Sequence, residues 1–132
     1  MKKIIIILLV FYLNNNFVQA IEPDIFVQST VNRASEILSK NISKEEKIEK
    51  LKSIARETVD INGVGFYSLG SARKTLDSNQ KEMYLKYFED YFLKSFSSRL
   101  SEYTNPEINV NGKEVINKNY TIVKSVLVAT SE

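Results

Sequence analysis

The 132-residue sequence contains no cysteine and no histidine. Without cysteine, the chain can form no disulfide framework and cannot be anchored through a lipid on an N-terminal cysteine. Without histidine, it lacks the commonest general base and metal ligand, and the absent thiol removes the best nucleophile. The adjacent acidic pairs Glu45-Glu46 and Glu89-Asp90 remain, but neighbouring side chains on a helix do not face each other. These absences predict no enzyme, no metal site and no cofactor, and they favour a binding protein.

Positive charge is also scarce outside the N-terminus. The chain has 18 Lys and Arg against 16 Asp and Glu, and Lys2 and Lys3 account for the excess. The remaining chain is close to neutral and has no basic run, which argues against a nucleic-acid partner and against a polybasic membrane-surface role. Gly63-x-Gly65 lacks the strand–turn–helix context that a phosphate cradle requires. An apolar ligand or a protein partner is therefore the better expectation.

The N-terminus has the pattern of an export signal. Lys2 and Lys3 precede an apolar run of ten residues, Ile4 to Leu13, and Val18-Gln19-Ala20 offers small or compact residues at a cleavage point. An uncleaved membrane anchor is the alternative, but a bilayer span needs about 20 apolar residues. We predict a signal peptide over residues 1–20, cleaved after Ala20, and one exported domain over residues 21–132.

Two amphipathic helices are predicted at the start of the mature chain. Pro23 begins a helix that runs to about Lys40, and a capping box of Ser43 with Glu46 begins a second that runs to about Val59. Apolar residues recur at helical spacing on one face of each. The predicted buried stripes are Val27, Val31, Ala34 and Leu38 in the first helix, and Ile48, Leu51, Ala55 and Val59 in the second.

The longest predicted helix carries an unusually wide aromatic face. Asp77 and Gln80 form a capping-box start, and the helix runs from Ser78 to about Glu102. Its aromatic and apolar residues cover about half of the circumference, more than a small two-layer core requires. These residues are Tyr84, Tyr87, Phe88, Tyr91, Phe92, Phe96, Leu100 and Tyr103. The face is expected to pack on an apolar ligand as well as on the protein's own core.

A short apolar segment precedes this helix. Gly63-Val64-Gly65 is expected to break the helical pattern, and a short turn or helix then ends at Gly70 as a C-cap. We predict that this segment shares one apolar lining with the aromatic helix, although spacing alone does not separate lining from core. The candidate residues for contact with an apolar ligand are Val64, Phe66, Tyr67, Leu69, Tyr84, Phe88, Tyr91, Phe92 and Phe96.

The chain after the aromatic helix is predicted to form strands. Asn105-Pro106 stops helical structure, and Glu107 to Val110 is strand-like. Asn111-Gly112 is the strongest short hairpin signal, with Glu114 to Ile116 as the returning strand. Tyr120 to Ala129 is rich in β-branched residues and predicts a longer strand. Helices followed by antiparallel strands indicate an α+β fold.

Several of these features together resemble the MlaC family, also called the toluene-tolerance family. The resemblance lies in Val59-Asp60-Ile61, Leu69-Gly70, Gln80, Tyr84, Phe88, Tyr91, Leu100 and Tyr103, whose spacing fits the family pattern without gaps. It implies helices packed on a curved antiparallel sheet, as in the nuclear transport factor 2-like architecture. It also implies a cavity that holds phospholipid acyl chains.

The resemblance further implies a role and partners. Members of the family carry phospholipid across the periplasm between an outer-membrane lipoprotein–porin complex and an inner-membrane ABC transporter with an MCE-domain subunit, which maintains outer-membrane lipid asymmetry. At the position where the family usually has an aromatic residue, this chain has Arg73. Arg73 and Lys74 are weak candidates for contact with a phosphate head group, and a plain surface pair is the alternative.

The chain also ends earlier than the family pattern. Family members continue beyond the strand at Tyr120 through further strands and a closing helix, whereas this sequence ends at Glu132. We therefore expect an incomplete sheet. A small exported interaction protein, with the aromatic face as its docking surface, is the alternative function. An enzyme with a related fold is the least favoured alternative, because no inward acid is identified.

Overall fold

The computed structural model describes residues 21–128, so the predicted signal peptide lies outside the described part. Within this range the chain forms four α-helices and then a two-stranded antiparallel sheet, which confirms the predicted α+β class with an incomplete sheet. The elements are α1 (Pro23–Ser39), α2 (Lys44–Thr58), α3 (Ile61–Ser68), a 3₁₀ helix (Gly70–Lys74), α4 (Ser78–Leu100), β1 (Glu107–Asn117) and β2 (Tyr120–Val128).

The helix starts follow their local capping signals. Asp77 accepts a hydrogen bond from Gln80 N at 2.8 Å, and the Gln80 side chain accepts one from Asp77 N at 3.0 Å. The predicted capping box of α4 is therefore confirmed. In α2 only half of the predicted box forms: Ser43 Oγ accepts from Glu46 N at 3.1 Å, while the Glu46 carboxylate pairs with Lys50. One orphan N–H is satisfied at that end, which suffices to begin the helix.

The predicted break at Gly63-Val64-Gly65 is wrong, because α3 runs through both glycines. The Asp60 side chain accepts a hydrogen bond from Gly63 N at 2.9 Å and so caps the helix just before them. Gly65 is buried where α3 meets α4. Gly70, directly after α3 and its Leu69 cap, has φ +54°, the left-handed conformation in which glycine commonly ends a helix. The prediction for Gly70 is confirmed.

The predicted hairpin turn at Asn111-Gly112 is also wrong. β1 continues through these residues with a bulge, and the segment predicted to return, Glu114 to Ile116, belongs to β1. The chain reverses at residues 118–119, where Asn117 Oδ1 accepts hydrogen bonds from Asn119 N at 2.9 Å and Tyr120 N at 3.1 Å. An asparagine side chain that bonds the backbone two residues on is a strong local turn signal. The strand predicted from Tyr120 is confirmed as β2.

The core lies where α2 packs against α1 and α4. Half of its six buried apolar residues come from the predicted stripes. The half-buried rings of Phe88 and Phe92 pack against a cluster of Ala55, Ile61 and Leu93. Burial of apolar area supplies most of the stabilisation in a domain of this size. The buried apolar residues are Leu38, Leu51, Ile54, Ala55, Ile61 and Leu93.

The hairpin is fixed to α1 by side-chain bonds. Gln28 Nε2 donates to Ile108 O at 3.3 Å, and Gln28 Oε1 accepts from Val110 N at 3.1 Å. Near the other end of α1, Ser35 Oγ donates to Pro106 O at 3.0 Å. Together these bonds place the start of β1, with Ile108, across from α2 and the C-terminal half of α4.

Candidate functional site

A cavity of about 330 Å³ lies between α1, α2, the C-terminal half of α4 and the hairpin. Cavities that bind small molecules have volumes of about 300–1,000 Å³ and mostly apolar walls. The walls here are contributed by five elements and the connecting segments between them. The lining residues are Thr30, Val31, Ala34, Ser35, Leu38, Leu51, Ile54, Ala55, Thr58, Val59, Phe96, Leu100, Tyr103, Pro106, Ile108 and Leu127.

The lining contains hydroxyl groups but no charged side chain. Thr30 Oγ1 donates to Phe26 O at 2.9 Å, and Thr58 Oγ1 donates to Ile54 O at 2.7 Å. Ser35 Oγ likewise donates to Pro106 O at 3.0 Å. Because these three hydroxyls donate their single protons to backbone carbonyls, none of the three has a proton left to donate to a guest. The fourth hydroxyl of the lining belongs to Tyr103, a residue that is 45% exposed. The surface that the first three leave toward the cavity suits hydrocarbon.

The cavity opens between α4 and β2. Its closed end is built from core residues, with Leu38, Leu51 and Ala55 each only 1% exposed. At the opposite end, Phe96 is 37% exposed and Leu127 is 46% exposed, although both line the cavity.

Four of the predicted aromatic residues lie in a row along α4 that ends at this opening. Phe96 lines the cavity. Its ring stacks on Phe92 at a centroid distance of 5.7 Å, Phe92 on Phe88 at 6.2 Å, and Tyr84 lies 5.9 Å from Phe88. These four rings form one aromatic ladder along α4. Phe88 and Phe92 pack against the core cluster of Ala55, Ile61 and Leu93, so the inner rungs of the ladder are part of the core.

The other predicted lining residues lie elsewhere. Tyr91 is 70% exposed on the outer side of α4, and Tyr67 is 81% exposed on α3. Val64 and Phe66 are exposed as well, and Leu69 is half-buried at the end of α3. Arg73 and Lys74 are exposed in the 3₁₀ helix and do not line the cavity. Contact of these residues with lipid stays a prediction.

Much of the cavity wall was not predicted from the sequence as lining. Val31, Ala34 and Leu38 of α1 were predicted as a buried stripe only, and Leu127 of β2 was assigned no role. Ala34 and Ala55 lie in the predicted buried stripes of α1 and α2, and both line the cavity. Because alanine side chains are small, their presence in both stripes could have indicated empty space between the two helices.

Charged side chains near α1 pair with one another on the surface. Arg33 lies 2.6 Å from Glu57, and Lys40 lies 2.8 Å from Glu36. The Arg33 guanidinium lowers the pKa of Glu57, and the Lys40 ammonium lowers the pKa of Glu36, in both cases mainly through the hydrogen bond. Two polar depressions, of about 320 and 440 Å³, lie beside these residues. The charged side chains that line them are already engaged in ion pairs with other side chains of the protein.

Over residues 21–128, no group of three or more acidic side chains is placed to hold a metal ion. No helix in that part of the chain is both long enough and apolar enough to cross a membrane.

Comparison with known proteins gives one match. Searches of curated proteins and of solved structures returned no match to this chain. The family model described as MlaC protein matches residues 28–132, which is well over half of the sequence and includes all of α2, α3, α4 and the hairpin. Proteins of that family are periplasmic lipid-binding carriers of the Mla system. This chain belongs to the MlaC family.

Proposed function

We propose that this chain is a periplasmic carrier of phospholipid, which it shuttles between an outer-membrane lipoprotein–porin complex and an inner-membrane MCE-type ABC transporter. In this role it contributes to the lipid asymmetry of the outer membrane. The observation that carries the proposal is the uncharged cavity, which has three internally bonded hydroxyls and an opening between α4 and β2. Family membership supports the lipid as the guest.

The physical requirement for such a carrier is a dry surface for acyl chains. Each methylene group moved from water into an apolar environment contributes about 0.8 kcal/mol. A lipid that crosses an aqueous compartment therefore needs a wall that offers hydrocarbon contact and no competing polar group. Most of the cavity wall meets this requirement, since Thr30, Ser35 and Thr58 donate their hydroxyl protons to backbone carbonyls. The remaining hydroxyl of the lining belongs to Tyr103, a residue that is 45% exposed.

The residues proposed to contact lipid fall into two groups. Phe96 and the other lining residues would contact an acyl chain directly. The other three rings of the aromatic ladder, Tyr84, Phe88 and Phe92, would hold Phe96 in place. The exposed residues Val64, Phe66, Tyr67 and Tyr91, together with Leu69, would contact lipid or a membrane complex only during loading. Arg73 and Lys74 remain candidates for a head-group phosphate.

Lipid transfer between vesicles tests the carrier function. Protein purified without detergent is mixed with donor vesicles that contain a fluorescent phospholipid and with unlabelled acceptor vesicles. We expect the protein to accelerate transfer, and we expect Ala34→Phe to abolish the acceleration because the ring fills the cavity. Ala72→Phe, at an exposed position outside the cavity, is the matched control. Transfer that Ala34→Phe leaves unchanged, in a variant with an unaltered melting temperature, would contradict the proposal.

The export step is tested separately. We propose that residues 1–20 are removed after Ala20, so that the mature protein begins at Ile21. N-terminal sequencing of protein recovered from the periplasm should start at Ile21. An intact Met1 in a membrane fraction would contradict this part of the proposal and leave the lipid cavity unaffected.

A second candidate is an exported interaction protein. It is favoured by one observation, the exposure of Met83, Tyr87 and Tyr91 along the outer side of α4. Aromatic residues grouped on a surface are typical of protein interfaces. If Tyr87→Ser with Tyr91→Ser removed a specific complex while lipid transfer was absent in the parent protein, this function would replace the first.

A further inference from the structure

The chain keeps its helical turn for three residues beyond the end of α4, and this turn leads to the cavity. Glu102 N donates to Arg99 O at 3.3 Å. Tyr103 N donates to Leu100 O at 3.0 Å, so Tyr103 lies one turn further along the same side of the chain. Tyr103 lines the cavity and is partly exposed, as Phe96 is. The end of α4 therefore provides part of the border between the cavity and solvent.

Tyr103 carries the lining hydroxyl that the described chain leaves unused. Thr30, Ser35 and Thr58 donate their hydroxyl protons to backbone carbonyls. Within residues 21–128, the Tyr103 hydroxyl donates to no other group of the protein. A phenolic hydroxyl can donate one hydrogen bond and also accept. Among the lining side chains, a guest therefore finds an available donor at this exposed end and none at the buried end.

A cation lies next to this tyrosine on the last turn of α4. Arg99 is an exposed residue of that turn. Residues three or four positions apart on a helix are neighbours, so Arg99 adjoins both Phe96 and Tyr103. Arg33 and Arg56 form ion pairs, whereas no carboxylate within residues 21–128 forms one with Arg99. Its guanidinium is therefore available to an anion from solution or from a guest.

A guanidinium beside a phenol suits a phosphate group. Arginine forms charge-assisted and often bidentate hydrogen bonds with phosphate oxygens, and a phenol can donate one more. No charged side chain lines the cavity itself, so a phosphate placed inside would lose its hydration and meet no opposite charge. A guest whose hydrocarbon fills the cavity would instead place its phosphate at the border, beside Arg99 and Tyr103.

We propose that Arg99 and Tyr103 form a head-group site, which binds the phosphate of a phospholipid whose acyl chains lie in the cavity. The proposal rests on the lipid-carrier function proposed above and names the residues that recognise the polar part of its cargo. It assigns the head group to the C-terminal end of α4. The other candidates, Arg73 and Lys74, precede the N-terminal end of that helix and do not line the cavity.

Competition between two lipids that differ only in the head group tests the site. Protein free of detergent is incubated with phosphatidylcholine vesicles that contain diacylglycerol with the same acyl chains, and the lipids bound to the recovered protein are measured by mass spectrometry. We expect Arg99→Gln and Tyr103→Phe each to lower the bound ratio of phosphatidylcholine to diacylglycerol by about threefold to tenfold. Tyr103→Phe keeps the ring in the cavity wall, so its effect reports on the hydroxyl.

Salt dependence and a conservative variant distinguish a phosphate contact from a structural role. The effect of Arg99→Gln should shrink as the salt concentration rises, because salt screens exposed charges. Arg99→Lys keeps the charge without the bidentate geometry and should recover part of the lost preference. Lys94→Gln is the matched control, since Lys94 is exposed two residues before Phe96 and thus on the opposite side of α4. Tyr120→Phe, at an exposed tyrosine outside the cavity, is the control for the hydroxyl.

Three results would overturn the head-group site alone. The first is an unchanged lipid ratio in Arg99→Gln or in Tyr103→Phe, in variants whose melting temperatures are unaltered. The second is a loss of preference in Arg73→Gln that equals the loss in Arg99→Gln. The third is binding of inorganic phosphate to lipid-free protein that depends on Arg99 while the lipid ratio does not, which would assign the site to a free anion. Failure of the parent protein to take up either lipid would overturn the carrier function as well.

Discussion

Gly65 of α3 lies directly against the ring of Phe88 of α4. A Cβ atom on Gly65 would fall 2.7 Å from Phe88 Cδ1 and 3.2 Å from Leu85 Cδ2, closer than side-chain carbons normally approach. The missing side chain therefore lets the two helices pack closely at this point. Because Phe88 is also the second ring of the aromatic ladder, the close approach brings α3 into contact with that ladder.

Substitution Gly65→Ala should destabilise the protein even though alanine is the better helix former. Forcing a methyl group into a packed site costs about 1–3 kcal/mol, and the gain in helix propensity offsets at most about 1 kcal/mol. We expect a net loss of up to about 2 kcal/mol in the free energy of unfolding measured with urea. Gly112→Ala is the control, since a Cβ there meets nothing within 4 Å. An unchanged or higher stability for Gly65→Ala would show that the ring moves freely.

Truncation of the ladder should separate core from cavity wall. Phe88→Ala and Phe92→Ala remove rings that pack against the buried cluster, so each should cost stability near the lower end of the about 3–5 kcal/mol typical of a buried ring. Phe96→Ala, at the 37% exposed ring that lines the cavity, should cost less and reduce retained lipid more. Melting temperature and bound lipid are measured on each variant, with Tyr91→Ala as the control. Proportional losses in all three variants would contradict a separate role for Phe96.

The α4 capping box should contribute measurably to stability. Asp77→Ala removes the acceptor for Gln80 N and leaves an orphan donor in the first turn. Loss of such a cap typically costs about 1 kcal/mol. Asp77→Asn keeps an acceptor oxygen at the same position and should recover most of this loss in chemical unfolding. Equal losses for the two variants would mean that the charge, rather than the hydrogen bond, stabilises this end.

The ion pair between Lys113 and α1 should make stability depend on pH at both extremes. Lys113 Nζ lies 2.8 Å from Asp24 Oδ1 and also bonds Glu22. The hydrogen bond from Lys113 lowers the pKa of Asp24 from its ordinary value of 3.8, so this contribution is present above pH 3.8 and is lost as the pH falls below it. The bonds to Asp24 and then Glu22 raise the pKa of Lys113 from 10.5, so its contribution is present below pH 10.5 and is lost above that value.

The difference in melting temperature between the parent protein and Lys113→Met should therefore be constant between these limits and shrink outside them. Measurements at low ionic strength are appropriate because salt screens partly exposed pairs. Lys124→Met is the control, as it removes an equal charge from a pair with Glu114 inside the hairpin, 3.0 Å apart. A difference that persists unchanged at pH 2 would indicate that Lys113 stabilises through its aliphatic stem instead.

The parts of the fold that sequence predicted well are those set by neighbouring residues. The helix starts at Ser43 and Asp77 depend on side-chain hydrogen bonds within one turn, and the start of α1 depends on proline at its first position. Each start lies where its signal placed it. Gly65 was misinterpreted because its role depends on Phe88, which lies 23 residues further along the chain. A glycine signals either a break or a close approach, and only the packing distinguishes the two.

The hairpin and the cavity show a similar limit. Asn111-Gly112 suits a turn and also suits a bulge, and the competing turn at residues 118–119 is held by the side chain of Asn117. Helical spacing predicted that the aromatic face would be buried but not which residues would border empty space. That depends on where α1, α2, α4 and the hairpin fail to meet, which is a property of the assembled fold.

The Gln28 amide should protect the backbone of β1 from solvent exchange. Gln28→Met keeps the length of the side chain and removes the bonds to Ile108 O and Val110 N. Leaving such groups without a partner costs about 1–3 kcal/mol. We expect a loss in this range and faster hydrogen exchange at the Val110 amide, while amides in α3 change little. Unaltered exchange at Val110 would mean that water replaces the glutamine without cost.

Gln28 also determines how the sheet can grow at the end nearest the cavity. Its amide occupies the place beside β1 that a peptide group of a neighbouring strand would take. In an antiparallel sheet, two directly opposite residues either exchange backbone hydrogen bonds or form a non-hydrogen-bonded pair. In a non-hydrogen-bonded pair, the N–H and C=O groups of both residues point away from the other strand. Leu127 and Ser125, the register partners of Ile108 and Val110, therefore direct their own N–H and C=O groups outward from β2. At this end of the described sheet an incoming extended segment can join only beside β2, along the border where the cavity meets solvent.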